Sequence, residues 1–392
     1  MTTSRLRVAA VLIAASATLL ALTSCAPAAG HVSAGGGTST TKHHPTPTPT
    51  PTPAAMVQPA SRYSFGCSDL VSDSAVASLY SVPMSPVDTA RFVRLDLDSQ
   101  IPSADYVEDL GGLDCTWYDG AKTNDNSHDM NLEVLPVTLA EWNKFALGGE
   151  TTIHNGIETD CTSDQGFNSC DYEAYVNGSR FYIETTNMKP APTNLSVLPP
   201  AVKAIVTAIT AKLTSTPAGP VPAPQHPSLA LPVSGAAMIT AAQVRTAMGI
   251  PANVKMTIDC TGEPDGPWEI DNEAQQEVDG SSDCVFGPPY DGGISGSYGL
   301  YEFLPAGEWA AKQLLGYTPS ETQVADPTLP AGDSLYQWTD SDGQLNGDLI
   351  IGGNLIEINF YTPQDSGEPK GSVPLPTALI NLANALETTI RA

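Results

Sequence analysis

Positive charge is scarce in this sequence. Lys and Arg together number 17 among 392 residues, against 43 Asp and Glu, and the formal net charge is −26. A surface of this sign repels phosphate backbones and anionic lipid head groups, so we expect no nucleic-acid partner and no membrane contact through surface charge. The excess of acidic residues is also explained by the solubility that an exported protein requires.

Histidine is also rare, with six in the whole chain. His43 and His44 lie in a low-complexity tract that lacks the convergent ligands of a zinc site. After that tract only His128, His154 and His226 remain, and none lies beyond position 226. A Ser-His-Asp or Cys-His device that is repeated in both halves of the chain is therefore excluded, and we assign no catalytic residue.

Motifs for cofactors and metals are missing as well. The sequence has no Gly-x4-Gly-Lys-Ser/Thr phosphate loop and no Cys-x-x-Cys redox pair. Residues 293–297 resemble a nucleophile elbow without its last Gly, so we expect a Gly-rich loop there. Residues 340–348 resemble the start of a calcium loop, but Gln344 takes the fifth position and the closing Glu is absent. We therefore predict an acidic connection between strands, and no cofactor or metal.

The N-terminal residues have the pattern of an export signal. Arg5 and Arg7 precede an apolar run over residues 8–22, which is too short to span a bilayer and predicts a signal peptide over residues 1–24. The tetrapeptide Leu-Thr-Ser-Cys, ending at Cys25, resembles the bacterial lipobox, which implies that Cys25 carries a diacylglyceryl group. Two acyl chains form a durable anchor, so the predicted location is the outer face of the cell membrane. An ordinary signal peptide with a chance Cys is the alternative.

A stalk is predicted next, over residues 25–60. This segment is rich in Gly, Ser, Thr, Ala and Pro, and Pro alternates with Thr over residues 45–53. Such a composition favours extended polyproline II geometry and buries no apolar surface. We therefore expect the lipidated Cys25 to be followed by a disordered spacer.

The rest of the sequence repeats itself. Seven positions within residues 70–83 recur in the same order, 168 residues later, within residues 238–251. The Asp-Cys-x-aromatic segments 114–117 and 283–286 also correspond. Self-similarity of this kind indicates an internal duplication. It defines a first repeat (61–215), a Pro-rich hinge (216–232) and a second repeat (233–392).

Each repeat has the same predicted elements. Ser72 and Thr240 are placed to cap a short helix. Alternating apolar residues on both sides of residues 177–178 and of residues 352–353 predict hairpins with two-residue turns. Each repeat closes on a helix with one apolar stripe. The fold class is therefore α+β, with two tandem homologous domains, each an antiparallel sheet packed with helices on one face.

Cysteine usage predicts a disulfide framework. With Cys25 lipidated, six cysteines remain, an even number in an exported chain. Sequence alone does not fix the pairing, but bridges that stay within one repeat are favoured. These are Cys67–Cys115, Cys161–Cys170 and Cys260–Cys284.

The five tryptophans fall into two groups. Trp117, Trp142 and Trp309 stand at repeated strand or helix positions, where core packing is expected. Trp268 and Trp338 lie in polar stretches that we interpret as loops, which makes them the better candidates for a surface contact.

The lipobox-like Cys25, the Thr-Pro stalk and the capped helix with a Cys-x-Trp strand together resemble small secreted lipoproteins of actinobacteria. They are also similar in outline to extracellular sensor domains of actinobacterial serine/threonine kinases. The similarity covers residues 67–213 and, more loosely, 235–390, where Phe286 replaces the Trp and the early Cys is missing. It implies an unknown ligand bound or sensed at the cell envelope, with no catalytic residues to transfer.

Three classes of function remain. The first is the ligand-binding or sensing module, with the cleft between the repeats as its site. The second is an assembly lipoprotein that contacts another envelope protein. The third is a carboxylate-dependent hydrolase, which stays open because sequence spacing does not reveal the distance between two acids.

Overall fold

Two antiparallel sheets with the same strand order form the frame of the protein. The computed structural model describes residues 55–392 except 97–100, 102, 122–126, 140–141, 143–151, 155–156, 165–166, 190–197, 232–237, 261–283, 289–297, 318–320, 326–327, 341–342 and 362–370. The predicted signal peptide, Cys25 and most of the predicted stalk lie outside the described residues.

The first repeat folds into a seven-stranded sheet. Its strands are β1 (Ser85–Val87), β2 (Leu113–Tyr118), β3 (Asp129–Leu135), β4 (Thr152–His154), β5 (Ile157–Asp164), β6 (Phe167–Val176) and β7 (Ser179–Thr186). Their spatial order is β1-β2-β3-β7-β6-β5-β4, and every neighbouring pair is antiparallel.

The second repeat forms the second sheet, also of seven strands. These are β8 (Thr257–Asp259), β9 (Cys284–Gly287), β10 (Gly299–Leu304), β11 (Thr322–Gln323), β12 (Ser334–Thr339), β13 (Leu345–Ile351) and β14 (Asn354–Phe360). Their order, β8-β9-β10-β14-β13-β12-β11, matches the first sheet strand for strand, again with antiparallel neighbours. The predicted α+β fold with two similar antiparallel sheets is confirmed.

The helices lie between and after the strands. They are α1 (Cys67–Leu70), α2 (Asp73–Tyr80), α3 (Thr89–Asp96), α4 (Ser103–Asp109), α5 (Pro200–Ser215), α6 (Ala241–Met248), α7 (Glu308–Leu314) and α8 (Leu375–Ile390). Both predicted caps are present, because Ser72 accepts a hydrogen bond from the Ala75 N–H and Thr240 accepts one from the Gln243 N–H.

Both predicted hairpins are present as well. The turn between β6 and β7 consists of Asn177 and Gly178, with φ of 50° and 84°, and the turn between β13 and β14 consists of Gly352 and Gly353, with φ of 57° and 96°. Two successive residues with positive φ form the turn that matches the twist of paired strands, and Gly and Asn tolerate this conformation best.

One face of each sheet packs against the helices of its own repeat. The closing helices α5 and α8 bury the predicted apolar stripes against β-strand residues such as Trp117 and Phe286. The stripes are Val202, Ile205, Val206, Ile209 and Leu213 in α5, and Leu379, Leu382, Ala383, Leu386 and Ile390 in α8.

The other face of each sheet is also covered, so the expectation of helices on one face only was incomplete. Tyr182 of the first sheet and Ile350 and Leu355 of the second belong to one apolar cluster, which is shared by both repeats and includes residues of α4 and α7. The two repeats belong to one compact unit. Because burial of each large apolar side chain contributes about 1.5–3 kcal/mol, each repeat stabilises the other.

Hydrogen bonds also join the repeats. The Ile101 N–H donates to the Glu302 carboxylate over 3.0 Å in a buried position. The Tyr317 hydroxyl, just after α7, donates to Asp88 over 2.7 Å. Asp88 also accepts the Arg91 N–H at the start of α3, so one carboxylate both caps a helix and links the repeats.

The Pro-rich segment 216–231, here called the strap, contacts both repeats. The Gly219 N–H donates to the Arg62 carbonyl over 2.6 Å. At the other end, the Asn354 side chain donates to the Leu229 carbonyl over 2.8 Å. Leu229 packs against the core of the second repeat. The segment interpreted as a hinge is therefore held by hydrogen bonds at both ends.

Three disulfide bonds are present, and they join the pairs favoured by the sequence. One bridge links α1 to β2, another joins directly opposed residues of β5 and β6, and the third lies where β8 and β9 pair. The pairs are Cys67–Cys115, Cys161–Cys170 and Cys260–Cys284. Bridges of this kind are typical of an oxidising compartment outside the cytoplasm.

The tryptophans correct one prediction. Trp117 and Trp309 are buried, as expected, and Trp142 is half-buried and stacks on Tyr175. Trp338, interpreted as a loop residue on the surface, instead lies on β12 with only 3% of its area exposed. Because Gln337 and Asp340 are polar, the sequence around Trp338 indicated a loop where the structure has strand β12.

Among the described residues no helix is long and apolar enough to cross a membrane.

Candidate functional site

A groove lies where both repeats meet the strap. Its volume is about 320 Å³, at the lower end of the range for small-molecule sites. The first repeat contributes Asp109, Leu110 and Pro136, the second repeat contributes Ala306, and the strap contributes residues 221–225. Pro59 and Arg62, from the chain segment that enters the first repeat, complete the lining.

Two lining residues come from equivalent connections of the duplicated fold. Pro136 directly follows β3, and Ala306 follows the corresponding strand β10. Ala306 has a φ of 57°, which costs an L-residue about 1–2 kcal/mol, and its N–H donates to the Asn354 side chain over 3.0 Å. The groove therefore includes a strained backbone position that the second repeat holds in place.

Arg62, which lines the groove, is fixed by three hydrogen bonds. Its N–H donates to the Gly111 carbonyl over 2.8 Å, and its carbonyl accepts the Gly219 N–H. Its Nε donates to the Gly219 carbonyl over 3.0 Å. Arg62 is thus tied to the end of α4 and to the strap, which limits the motion of its side chain.

The close approach of Arg62 to α4 requires a glycine. Gly111 ends the turn after α4 with a φ of +74°, and a Cβ there would lie 2.8 Å from the Arg62 Cγ. Glycine adopts this backbone conformation without the steric penalty of other residues. A glycine at position 111 is therefore required for the close packing of Arg62 against the end of α4.

Asp109, the last residue of α4, is the acidic group of the groove. Burial raises its pKa to about 6, and the influence of the nearby Trp309 side chain partly offsets this effect. A buried carboxylate loses hydration, which disfavours its charged form. The groove therefore presents one carboxyl group that titrates close to neutral pH.

Glu108 lies beside Asp109 in sequence and is perturbed further. Burial raises its pKa to about 7, the negative charge of Asp88 adds to the increase, and a hydrogen bond from Gln58 lowers it. Two adjacent carboxyl groups at the end of α4 therefore favour the protonated form more than isolated carboxyl groups do.

The rim of the groove is closed by a two-point contact. Val57 N–H donates to the Gln225 side-chain oxygen over 2.8 Å, and the Gln225 side-chain nitrogen donates back to the Val57 carbonyl over 2.5 Å. The apolar side chains of Val57 and Val221 remain exposed, with 64% and 74% of their areas accessible. The rim thus combines a fixed backbone with exposed apolar groups.

Buried carboxylates also lie outside the groove, in the second sheet. Glu302, Glu357 and Asp348 stand directly opposite one another across β10, β14 and β13, and each is at most 5% exposed. None of the three is without a partner. No group of three metal-binding side chains converges within the described part of the chain. Glu302 of this row accepts the Ile101 N–H and so links the two repeats.

The first repeat has a buried ion pair at the equivalent face. Arg180 of β7 donates to Glu173 of β6, and both side chains are essentially inaccessible. The Arg180 guanidinium lies 5.8 Å from the centre of the Trp142 ring. Charged residues that sequence alternation assigns to a solvated face are therefore buried between the repeats.

The three candidate histidines lie in different elements. His128 is buried in the connection before β3, and its Nδ1 lies 2.7 Å from an Asp119 oxygen. His154 is on the edge strand β4, and His226 is exposed in the strap. The structure does not bring them together.

The other candidates are structural or lie outside the described residues. The acidic run contains Asp340, which accepts the Gln344 N–H over 2.7 Å in the connection between β12 and β13, although residues 341–342 are not described. The predicted strand connection is thus present. Cys25, Trp268 and residues 293–297 lie outside the described residues.

Neither Arg62 nor Asp109 was singled out from the sequence. They are 47 positions apart in the sequence, and they line the same groove because the Arg62 N–H pairs with Gly111 at the end of α4. The one local signal was the Gly-Gly pair at 111–112, which is typical of a helix end but does not indicate what packs against it.

Comparisons with known proteins leave the assignment to the geometry of the site. No protein-family model, no curated protein and no solved structure matches this chain.

Proposed function

We propose that this protein is a lipid-anchored module on the outer face of the cell membrane that binds a small ligand in the groove between its repeats. The observation that carries the proposal is a groove of about 320 Å³ that is lined by both the fixed Arg62 and the partly buried Asp109. Binding sites combine a concave surface with a few fixed polar groups.

The anchor rests on the lipobox-like residues ending at Cys25. A diacylglyceryl group on this residue would bind the membrane, and the Thr-Pro stalk would separate the membrane from the folded unit. The three disulfide bonds support an extracytoplasmic location, and the resemblance to actinobacterial lipoproteins agrees with it. Nucleic acid is not among the proposed partners.

A protein partner is the second candidate. The exposed side chains of Val57 and Val221 favour it, because exposed apolar side chains can pack against another protein. A carboxylate-dependent hydrolase is a weaker candidate, because the carboxylate row of the second sheet is buried away from the groove residues.

A thermal-shift screen of the full-length protein in detergent tests the binding proposal. The probes are cell-wall fragments, sugars, short peptides, lipids and calcium. A ligand that binds only the folded state stabilises it by about 2.7 kcal/mol at a hundredfold excess over Kd. A saturable shift that Arg62→Gln removes supports the proposal. Arg91→Gln, at an exposed position on α3, is the matched control.

A flat response to every probe would contradict small-ligand binding and favour the protein partner. Membrane fractionation tests the anchor separately. We expect Cys25→Ser to move the protein from the membrane fraction to the supernatant, and unchanged membrane association would contradict lipidation at Cys25.

A further inference from the structure

Opposite charges line the groove without neutralising each other. Arg62 and Asp109 both contribute to its surface, yet the described residues include no ion pair between them within 4.0 Å. Two opposite charges in one confined site usually pair directly unless the fold holds them apart.

The fold does hold Arg62 in place. Its Nε bond to the Gly219 carbonyl and its backbone bond to Gly111 prevent the side chain from swinging freely toward Asp109. The terminal nitrogens of the guanidinium remain as donors. A guanidinium fork matches a carboxylate better than any other side chain does, because two parallel hydrogen bonds can form.

Asp109 complements this donor with a group that needs a cation. It is partly buried at the end of α4, and loss of hydration raises its pKa to about 6. Glu108 precedes it on the same helix, and Arg62 lines the same groove. An ammonium group placed against Asp109 would compensate the negative charge of the carboxylate and stabilise its ionised form.

The remaining lining limits the size and character of the ligand. Pro59, Leu110, Pro136 and Ala306 present apolar surface, and the volume of about 320 Å³ suits a small molecule. From this arrangement we infer that the groove binds a small zwitterion, an amino acid or short peptide with free ends, its carboxylate on Arg62 and its ammonium on Asp109. This inference rests on the proposed function and specifies its ligand class.

Capped dipeptides test the inference on the full-length protein. The probes are alanyl-alanine, its N-acetyl form and its C-terminal amide, with free alanine to separate amino-acid from peptide binding. We expect measurable binding of alanyl-alanine by calorimetry. Each cap removes one charge-assisted contact, worth about 1.5–3 kcal/mol, so each capped form should bind about 10-fold to 100-fold more weakly.

Variants of the two residues assign each cap to its contact. In Arg62→Gln, the dipeptide should lose affinity, and amidation should cause no further loss. In Asp109→Asn, N-acetylation should cause no further loss. Such non-additivity is the signature of a direct contact. Arg91→Gln should behave as the unmodified protein, and if Arg62→Gln does not fold, Asp109→Asn with the N-acetylated dipeptide still tests the inference.

Several results would overturn the inference. Equal affinity for the free and capped dipeptides would exclude recognition of either charge. Absence of binding by alanine and alanyl-alanine up to about 10 mM, well above the 1 mM at which binding is worth about 4 kcal/mol, would also overturn it. If the broader thermal-shift screen then finds another ligand class, only this inference fails. If that screen is flat too, the proposed function fails with it.

Discussion

The stability of this protein should fall as Glu108 ionises, and Glu108→Gln should prevent that fall. Burial and the nearby charge of Asp88 raise the pKa of Glu108 from its ordinary 4.5 to about 7. Between about pH 4.5 and pH 7, Glu108 therefore keeps its proton in the folded state and has lost it in the unfolded state. Stability from this proton is complete below about pH 4.5 and is lost as the pH rises through about 7.

The magnitude follows from the separation of the two pKa values. At about 1.4 kcal/mol per pKa unit, the separation gives about 3.5 kcal/mol as an upper value. Glu108 is only partly buried, so solvent screening reduces the expected effect to about 1–2 kcal/mol. Glu108→Gln should thus match the unmodified protein at pH 4.5 and exceed its free energy of unfolding by this amount at pH 8.

Urea denaturation of both proteins at the two pH values is the assay. Gln58→Ala should have the opposite effect, because it removes the hydrogen bond that lowers the pKa of Glu108. Glu308→Gln on α7, which breaks a part-exposed pair with Lys312, is the charge-matched control and should change stability by less than about 1 kcal/mol. A difference between Glu108→Gln and the unmodified protein that is the same at pH 4.5 and pH 8 would refute the reasoning.

Three further predictions concern the frame around the groove. Gly111→Ala should lower the free energy of unfolding by about 1–2 kcal/mol in urea, because its φ is +74° and the added Cβ meets Arg62; an unchanged value would contradict the role of this glycine. Residues 61–215 expressed alone should lack a cooperative monomeric unfolding transition, since one sheet face would be exposed, and a cooperative monomer would argue for independent domains. Replacing both Cys67 and Cys115 by Ala opens a 48-residue loop and should lower the free energy of unfolding by about 4 kcal/mol. Removing the Cys161–Cys170 bridge, which spans nine residues, should lower it by about 2–3 kcal/mol. The reverse order in denaturant titrations would be inconsistent with loop entropy as the cause.

The features predicted correctly from the sequence are those that local chemistry determines. Ser72 caps α2, and the Asn177-Gly178 turn requires two positive φ values, so a few adjacent residues contain the signal. The apolar stripe of α5 follows the helical period for the same reason. Duplication strengthened each of these predictions, because the same pattern occurred twice in one chain.

The second face of each sheet could not be predicted in this way. Residues such as Glu173, Arg180 and Glu357 alternate with apolar residues and therefore indicate a solvated face. They are buried because the two sheets and the helices α4 and α7 share one apolar cluster, and such a contact has no local signature. Arg62 and Asp109 were missed for the same reason, since only the packed chain brings them together.

The strap has a mechanical consequence for the anchor proposed at Cys25. Residues 55–62 enter the folded unit beside the strap, through the two bonds between Val57 and Gln225 and the two between Arg62 and Gly219. A pulling force applied at residue 55 would load these four bonds before it reached either closing helix. Tension transmitted from the proposed anchor through the stalk would therefore act first on the lining of the groove.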